Sequence, residues 1–288
     1  MVFVRTLLLH LDTSPRPSVF DRIVALDAGA DEVMSYGRVT ADAVRELVHG
    51  AIFTRGPKEL HRTAIFIGGT AMAAGERLLA AVRQAFVGPL RVSVMLDSNG
   101  SNTTAVAAVA RLRQAAGDLT GRRAVVVAGT GPVGARAAGL LAAAGADVVI
   151  TSRRQEPGTA AAARIRQRFG GAVRALVVPD ASHAAAALEG AGILLCAGAA
   201  GVRLVPREAW AGRPGLHAVA DVNAIPPLGI EGVEVTDSGT DRDGVAAFGA
   251  LGVGSLKMRI HKACVARLFE RNDLVLDAET IAEAGETR

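Results

Sequence analysis

Three glycines at G-x-G-x-x-G spacing, Gly129, Gly131 and Gly134, are the residues whose pattern most clearly indicates chemistry. An apolar run, residues 124–128, precedes them, and a small-residue run typical of a helix follows. In such a strand-turn-helix unit the first glycine allows a tight turn, the second lets the backbone approach a pyrophosphate, and the third lets helix and strand pack closely; the helix dipole favours the anion. We predict dinucleotide binding, the alternative being a βα turn without ligand; the expected contacts are Gly129, Thr130, Gly131, Pro132, Val133 and Gly134.

The residues that end the next predicted strand, 147–151, indicate which dinucleotide is bound. In NAD-binding relatives of this motif, an acidic residue about twenty positions after the first glycine accepts hydrogen bonds from the ribose. This sequence has Ser152, Arg153 and Arg154 there instead. Hydroxyl and guanidinium groups can hold a 2′-phosphate through charge-assisted hydrogen bonds, whereas a carboxylate would repel it. We therefore expect NADP as the cofactor, with NAD also possible if the two arginines are ordinary surface charges.

A polar run from Asp97 to Thr104 follows a predicted strand, residues 90–96, and precedes a predicted helix, residues 105–116. Ligands of open α/β sheets bind beyond the carboxyl ends of the strands. A loop rich in hydrogen-bonding groups at such a strand end is therefore a candidate ligand site. The alternative is a linker between domains that also caps the helix, and the two interpretations are compatible because clefts form where domains join.

Two other strand ends supply further candidates for the cofactor site. Ala197, Gly198 and Ala199 follow a predicted strand, residues 193–196, and their small side chains would let the backbone lie against a nicotinamide or a ribose. Another tight loop is an equal alternative for this segment. Asp221 and Asn223 follow the predicted strand 218–220, and we assign them to the same cofactor site.

Two further features have an ordinary structural explanation beside the functional one. Gly68 and Gly69 could form a second phosphate loop, but they lack the full glycine spacing, so a plain βα turn is favoured. Lys257 and His261 are four residues apart in an amphipathic helix predicted over residues 252–269, so they share one face. Such a face is usually just solvated; if the helix borders the ligand site, Lys257 would contact an anionic or carbonyl-bearing substrate.

The elements that must position these residues alternate between strand and helix. The pattern predicts a strand over residues 3–11, a helix over 19–28 capped by Ser18, a strand over 32–35 and a helix over 41–52 capped by Thr40. A strand at 64–67 and a helix at 71–86 follow, and beyond the glycine loop further strands, 173–178 among them, alternate with helices at 160–169 and 182–189. We therefore predict an α/β fold with two open parallel-sheet domains and a cleft between them, the second domain being of the Rossmann type. The expected boundaries are 1–100 plus 258–288 for a substrate domain and 101–257 for the NADP-binding domain.

Composition and missing motifs exclude several classes of protein. The 288 residues are half hydrophobic and carry a formal net charge of +4, with no block of basic residues typical of nucleic-acid binding and no run of membrane-spanning length. Cys196 and Cys264 lie in apolar contexts without metal-ligand spacing, which indicates reduced, buried thiols in a cytoplasmic protein and no metal site. There is no H-E-x-x-H and no Tyr-x-x-x-Lys pair. A hydride transfer that needs no protein acid or base fits this sequence best.

Five segments resemble the NAD(P)-dependent methylene-tetrahydromethanopterin and methylene-tetrahydrofolate dehydrogenases of methylotrophic bacteria. The similarity spans nearly the full chain, and its most specific part is Asp97–Thr104. The segments are residues 17–21 (PSVFD), 64–69 continuing to 73–77 (AIFIGG and AAGER), 95–104 (MLDSNGSNTT), 128–134 (AGTGPVG) and 248–252 continuing to His261 (FGALG).

The resemblance implies hydride transfer from the methylene bridge of a reduced pterin carrier to NADP, giving a methenyl cation, within a homo-oligomer, a trimer in this family. It implies Phe20 as a stacking surface for the pterin, although core packing of the first helix is an equal alternative. Lys257 and Asp97 are implied as the residues that anchor and orient the substrate. Polar contacts are implied for the rest of the segment, Ser98, Asn99, Ser101, Asn102 and Thr103.

Alternatives remain open at this point. The carrier could be tetrahydrofolate in place of tetrahydromethanopterin, because the two share the reacting ring system. An unrelated NADP reductase similar to shikimate dehydrogenase would need a lysine–aspartate pair in the first domain, for which Lys58 is the only lysine candidate. A protein that binds NADP without catalysis is a third possibility.

Overall fold

The computed structural model describes residues 4–286, and the chain divides into two compact units. One unit comprises Met1–Thr103 with Met258–Arg288, and the other comprises Thr104–Lys257. No helix in the described part of the chain is both long and apolar enough to cross a membrane. Among the same residues, no group of three or more His, Cys, Asp or Glu side chains could hold a metal ion.

Strands and helices alternate along the chain, as the sequence pattern predicts. The first half contains β1 (Leu7–Asp12), α1 (Val19–Asp27), β2 (Glu32–Tyr36), α2 (Val44–Phe53), β3 (Thr63–Gly68), α3 (Met72–Ala85), β4 (Ser93–Leu96), α4 (Ser101–Ala116), β5 (Arg123–Val127) and α5 (Pro132–Ala143). The second half contains β6 (Asp147–Ser152), α6 (Gln155–Phe169), β7 (Ala172–Val177), α7 (Ala184–Ala187), β8 (Ile193–Cys196), β9 (Ala218–Asp221), β10 (Ser238–Arg242), β11 (Val245–Phe248), α8 (Ala250–Arg267), β12 (Val275–Leu276) and α9 (Ala278–Glu286).

Each unit is built on one sheet. The first has strand order β12-β4-β3-β1-β2, and all its neighbouring strands are parallel. The second has order β10-β11-β9-β8-β5-β6-β7 and is parallel apart from the β10–β11 hairpin. The prediction of two parallel-sheet α/β domains, the second of Rossmann type, is therefore confirmed. The sequence analysis missed β10, β11 and β12, which are short strands at or near the sheet edges.

The two faces of the first sheet have different compositions. Side chains alternate across a strand, and Leu9 and Leu11 of β1 lie in the main hydrophobic core of this unit with Ile65 and Ile67 of β3. The opposite face of β1 carries His10 and Asp12, which are also buried. Buried polar groups therefore gather on this second face, toward the carboxyl ends of the strands.

Several predicted boundaries need correction. Ser18 does cap α1, because its hydroxyl accepts the Asp21 N–H at 3.1 Å. Thr40 does not cap α2, which begins at Val44. The Thr40 carbonyl accepts the Ala43 N–H in a turn that precedes the helix. The first strand begins at Leu7, later than predicted, and Phe3 lies outside the described residues. The helix predicted over 182–189 is a single 3₁₀ turn followed by the four-residue α7.

Candidate functional site

The glycine loop packs tightly between β5 and α5. A Cβ on Gly134 would lie 2.8 Å from the Gly129 Cα, so the absent side chain allows the predicted close approach of helix and strand. A Cβ on Gly129 would lie 2.6 Å from the Ile150 Cβ of β6. The left-handed residue of the turn is Ala128, with φ of 56°. Gly129 therefore does not supply the left-handed conformation of the turn, and its missing side chain makes room for β6.

Gly131 differs from the other two glycines because a side chain there would make only ordinary contacts. A Cβ there would meet the Ala128 carbonyl oxygen at 3.6 Å, an ordinary contact. Gly131 is the N-cap residue of α5, Pro132 and Val133 form its first turn, and no side chain of the described residues caps the amides. Bare amides at a helix N-terminus, beside a backbone that a ligand can approach, suit a phosphate group.

A cavity of about 630 Å³ lies in the second unit, where the strand ends of β5, β6 and β7 meet the segment after β8. Arg153 and Arg154 line it and are exposed. Neither guanidinium forms a hydrogen bond or an ion pair with another residue in the described part of the chain. The residues that line the cavity are Val127, Ala128, Thr130, Thr151, Ser152, Arg153, Arg154, Pro157, Val178, Pro179, Asp180, Ala181, Ala199, Val202, Arg203 and Leu204.

Two hydroxyls at the end of β6 shape this cavity. The Thr151 hydroxyl accepts the Ala128 N–H at 3.1 Å, which ties the glycine loop to β6. The Ser152 hydroxyl donates to the Arg154 carbonyl at 2.9 Å, so its proton is already used in a local turn. Ser152 can therefore offer a ligand lone pairs more readily than a proton, and the two arginines supply the positive charge.

The sequence analysis missed two charged residues of the cavity. Asp180 follows β7, and its carboxylate accepts from the Ser182 N–H at 3.0 Å and contacts His183 Nδ1 at 2.9 Å. Hydrogen bonds from Ser182 and His183 lower the pKa of Asp180 to about 2. Arg203 forms an ion pair with Glu231 at 2.8 Å. The strand-end rule could have found Asp180, because this residue comes shortly after the predicted strand 173–178, whereas no sequence signal marks Arg203.

The small residues after β8 divide between two roles. Ala199 lines the cavity, whereas Ala197 and Gly198 do not. The Ala197 N–H donates to the Val127 carbonyl at 3.1 Å, which continues the β5–β8 pairing. A Cβ on Gly198 would collide with the Leu204 side chain, so this glycine is required by packing inside the unit.

Asp221 and Asn223 lie apart from the cavity lining. Both are buried, and the Asp221 carboxylate accepts the Asn223 N–H at 3.0 Å and the Ile230 N–H at 2.8 Å. Burial raises the pKa of Asp221, and burial together with Asp221 raises the pKa of the Cys196 thiol to about 12. The geometry of Asp221 is that of a structural anchor for the turn after β9, and the Cys196 thiol is kept protonated.

In the first unit, the segment that was expected to be a polar loop is the start of a helix. After Asp97 come a 3₁₀ turn at Ser98–Gly100 and then α4, which begins at Ser101. The Asp97 carboxylate accepts the Asn102 N–H at 2.9 Å, the Thr103 N–H at 3.1 Å and the Thr103 hydroxyl at 2.6 Å. A carboxylate that satisfies the first amides of a helix acts as its cap, so the expectation of an eight-residue loop is wrong.

Most side chains of this segment face the protein. Asp97, Ser98, Ser101, Asn102 and Thr103 are all fully buried. The Ser98 hydroxyl donates to the Gly68 carbonyl at 2.9 Å, and the Asn102 amide donates to the Leu96 carbonyl at 2.6 Å. Asn99 is exposed and has φ of 55°, a conformation that asparagine tolerates better than most residues.

Gly68 and Gly69 each have a structural reason to be glycine. A Cβ on Gly68 would lie 2.7 Å from His10 Nε2. Gly69 has φ of 101°, and a Cβ there would collide with Thr13. The favoured interpretation as a plain βα turn therefore accounts for both residues.

Four rings are in contact on the buried polar face of the first sheet. The centroids of His10 and Phe66 are 5.6 Å apart, and those of Phe66 and His261 are 5.4 Å apart with the rings nearly parallel. Phe20 contacts His261 at 6.3 Å and is 49% exposed. Phe20 is therefore not a core residue, and the alternative of core packing does not describe it. Lys257 is partly buried and lies one turn before His261 on α8, as predicted.

Comparison with known proteins identifies the family of this chain. Residues 19–99 match the family model described as methylene-tetrahydromethanopterin dehydrogenase, N-terminal. The chain is 51% identical over 278 residues, 96% of either chain, to the bifunctional protein MdtA of Methylorubrum extorquens AM1. It is 34% identical over 284 residues, 95% of either chain, to an NAD(P)-dependent methylenetetrahydromethanopterin dehydrogenase of the same organism.

A solved structure of shikimate 5-dehydrogenase from Listeria monocytogenes, in complex with shikimate and NAD, is similar with a TM-score of 0.57. The comparison covers 97% of this chain and 96% of that one at 14% identity, so it concerns the fold alone. The two relatives from Methylorubrum match this chain over almost their whole length, at 51% and 34% identity, and the family model matches as well. The chain therefore belongs to the methylene-tetrahydromethanopterin dehydrogenase family.

Proposed function

We propose that the protein oxidises methylene-tetrahydromethanopterin to its methenyl form with NADP as the hydride acceptor. The observation that carries this proposal is the arginine-lined cavity beside the glycine loop, in a chain of this family. A relative named as NAD(P)-dependent supports a nicotinamide cofactor, and the guanidinium groups of Arg153 and Arg154, which have no partner among residues 4–286, support the phosphorylated form.

The residues present fit this cofactor. The bare amides of α5 and the open side of Gly131 would hold the pyrophosphate, and Arg153 and Arg154 would hold the 2′-phosphate. Thr130 and Ala199 line the same cavity and would contact the rest of the dinucleotide. Asp221, with both oxygens bonded to main-chain amides, would act only by shaping the backbone nearby.

For the pterin, the proposed residues belong to the first unit and to α8. Phe20 offers a half-exposed ring for stacking, and Lys257 would anchor the substrate through its ammonium group. Asn99 is the exposed polar side chain of its segment and is the proposed direct contact there. Asp97 would act by fixing the start of α4, since its oxygens already accept three protein donors.

The chemistry needs little from protein acids and bases. When bound, the nicotinamide accepts the hydride. The methylene carbon loses one hydride with both electrons of its C–H bond and becomes a methenyl cation that is delocalised over the two adjacent nitrogens, so no proton is transferred. The protein residues then have to orient the substrate and exclude water.

The competing assignments are weaker on specific grounds. Lys58, the lysine that a shikimate-dehydrogenase-like mechanism would need, is exposed in the 3₁₀ segment that precedes β3. It therefore lies near the amino end of that strand, whereas sites in such folds lie at the carboxyl ends. Tetrahydrofolate remains the second candidate carrier, because it presents the same reacting ring system.

The test is a direct assay of the purified protein with methylene-tetrahydromethanopterin and NADP, following the methenyl product by its absorbance. Methylene-tetrahydrofolate and NAD are run in parallel to rank carriers and nucleotides. Turnover with either pterin carrier is expected. Cofactor binding by calorimetry without turnover on either carrier would refute the enzyme assignment and favour an NADP-binding protein without catalysis.

We also propose a cytoplasmic homo-oligomer, a trimer. Cys196 and Cys264 are both buried thiols, which suits a reducing compartment. The trimer rests on the family resemblance alone. Light scattering coupled to size-exclusion chromatography measures the oligomer mass directly, and a monomer would contradict this assignment.

A further inference from the structure

One ring that contacts Phe20 in the first unit is the buried imidazole of His261. Phe20 is the second residue of α1, and the start of this helix is fixed because the Asp12 carboxylate accepts the Ser18 N–H at 3.1 Å. The backbone of Phe20 is therefore held firmly, while 49% of its side chain is exposed. The ring contacts His261 at 6.3 Å with an angle of 53° between the planes. The imidazole therefore packs against one side of the exposed ring.

His261 itself is fixed from two directions. Its ring stacks on Phe66 of β3 at 5.4 Å, with only 13° between the planes. Its Nδ1 lies 3.9 Å from Oδ2 of Asp97, whose carboxylate is fixed in turn by the first amides of α4. With 1% of its side chain exposed, His261 has no direct access for a substrate. Its role toward a ligand must be indirect.

Two residues that we assign to the pterin adjoin this imidazole. Phe20 is in ring contact with it, and Lys257 precedes it by one helical turn on the same face of α8. We propose that His261 is a positioning residue for the pterin, setting the plane of the Phe20 ring. This inference rests on the proposed function, because it names the residue that supports the proposed substrate contacts.

The experiment measures the KM for methylene-tetrahydromethanopterin, the Kd for tetrahydromethanopterin by calorimetry and the Kd for NADP. In His261→Ala the KM and the pterin Kd should rise roughly tenfold, because a fixed aromatic platform is lost, while the Kd for NADP stays within about twofold. In His261→Phe, which restores a flat ring, the pterin Kd should return to within about threefold of the wild type. Should His261→Ala fail to fold, His261→Leu replaces it, since it fills the volume without a flat ring.

A double-mutant cycle with Phe20→Ala separates positioning from general damage. If His261 acts through the Phe20 ring, the double variant should bind pterin about as weakly as Phe20→Ala alone. Cys264→Ala, a buried change on the same helix, is the matched control. It should lower the Tm but should not weaken pterin binding more than NADP binding. Additive losses in the cycle, or an equal loss of pterin and NADP affinity in His261→Ala, would overturn this inference but not the proposed function. Absence of wild-type turnover with either carrier would overturn the proposed function and this inference with it.

Discussion

The imidazole of His10 lies over the Cα of Gly68, so close that a Cβ on Gly68 would stand 2.7 Å from Nε2. The two residues face each other diagonally across the paired strands β1 and β3, two positions out of register, since His10 pairs with Phe66 and Asp12 with Gly68. The glycine therefore makes room for a buried histidine. The Gly68-Gly69 pair, which resembles part of a phosphate loop in sequence, is explained by packing within the sheet.

Gly68→Ala should destabilise the protein by about 1–3 kcal/mol, because the buried imidazole must shift to admit a methyl group. The free energy of unfolding from urea denaturation measures the effect. Gly50→Ala is the control, since this glycine lies on α2 with nothing near its missing Cβ. Alanine there should stabilise the helix by about 0.5–1 kcal/mol. Equal effects of the two substitutions would contradict the packing explanation.

Gly129→Ala should lower the stability of the protein, whereas Gly131→Ala should lower its affinity for NADP. Alanine at 129 would press on Ile150 of β6 and should cost about 1–3 kcal/mol of unfolding free energy. Alanine at 131 meets only ordinary contacts, so stability should hold while NADP affinity falls roughly tenfold, because the new methyl group occupies space that a pyrophosphate needs. Thermal melts and calorimetric titration distinguish the two; normal NADP binding by a stable Gly131→Ala protein would argue against this loop as the phosphate site.

The double variant Arg153→Ala, Arg154→Ala should lose NADP affinity by roughly ten- to a hundredfold, while NAD affinity changes much less. The reason is that both guanidinium groups line the cavity without a protein partner among the described residues. Arg164→Ala, an exposed change on α6 outside the cavity lining, is the control for net charge. If the ratio of the two dissociation constants is unchanged, Ser152 or the backbone reads the phosphate instead.

Lys257→Ala should weaken pterin binding roughly tenfold and leave NADP binding near normal, because the proposed role of this ammonium group is to anchor the substrate. The KM for methylene-pterin and the Kd for NADP are measured on the same preparation. Arg259→Ala removes an exposed charge two residues along the same helix and should change neither value. An equal loss of both affinities in Lys257→Ala would refute the assignment to the substrate.

His10 makes the stability of the first unit depend on pH. Burial lowers its pKa from the ordinary value of 6.5, although the nearby Asp12 carboxylate raises it in part. The unfolded chain therefore binds the proton more readily than the folded one. The contribution of neutral His10 to stability is complete above pH 6.5 and is lost as the pH falls from there toward the folded pKa.

His10→Gln should flatten this dependence, because the variant has no imidazole to protonate. Between about pH 8 and about pH 5.5, the wild type should lose more unfolding free energy than the variant does. Urea denaturation at the two pH values checks this. Parallel losses in the two proteins would assign the acid sensitivity to other groups.

The local sequence was sufficient to predict most elements and the glycine-rich turn between β5 and α5. The G-x-G-x-x-G spacing and the alternation of strands and helices depend on neighbours a few residues apart, and the structure contains both features. The predicted strand 193–196 matches β8 residue for residue. The Thr40 cap failed because a turn through Ala43 competes locally with the helix, and a propensity rule does not resolve this competition.

The tertiary structure alone decided which groups meet. The sequence left open whether the polar run after β4 is a ligand loop or a helix cap, and the structure shows that the Asp97 carboxylate accepts the first amides of α4 as a cap. His10, Phe66 and His261 come from three distant parts of the chain, and only the parallel register of β1 and β3 and the return of α8 bring their rings together. Their proximity is fixed by packing over long sequence separations, to which local periodicity and propensity do not respond.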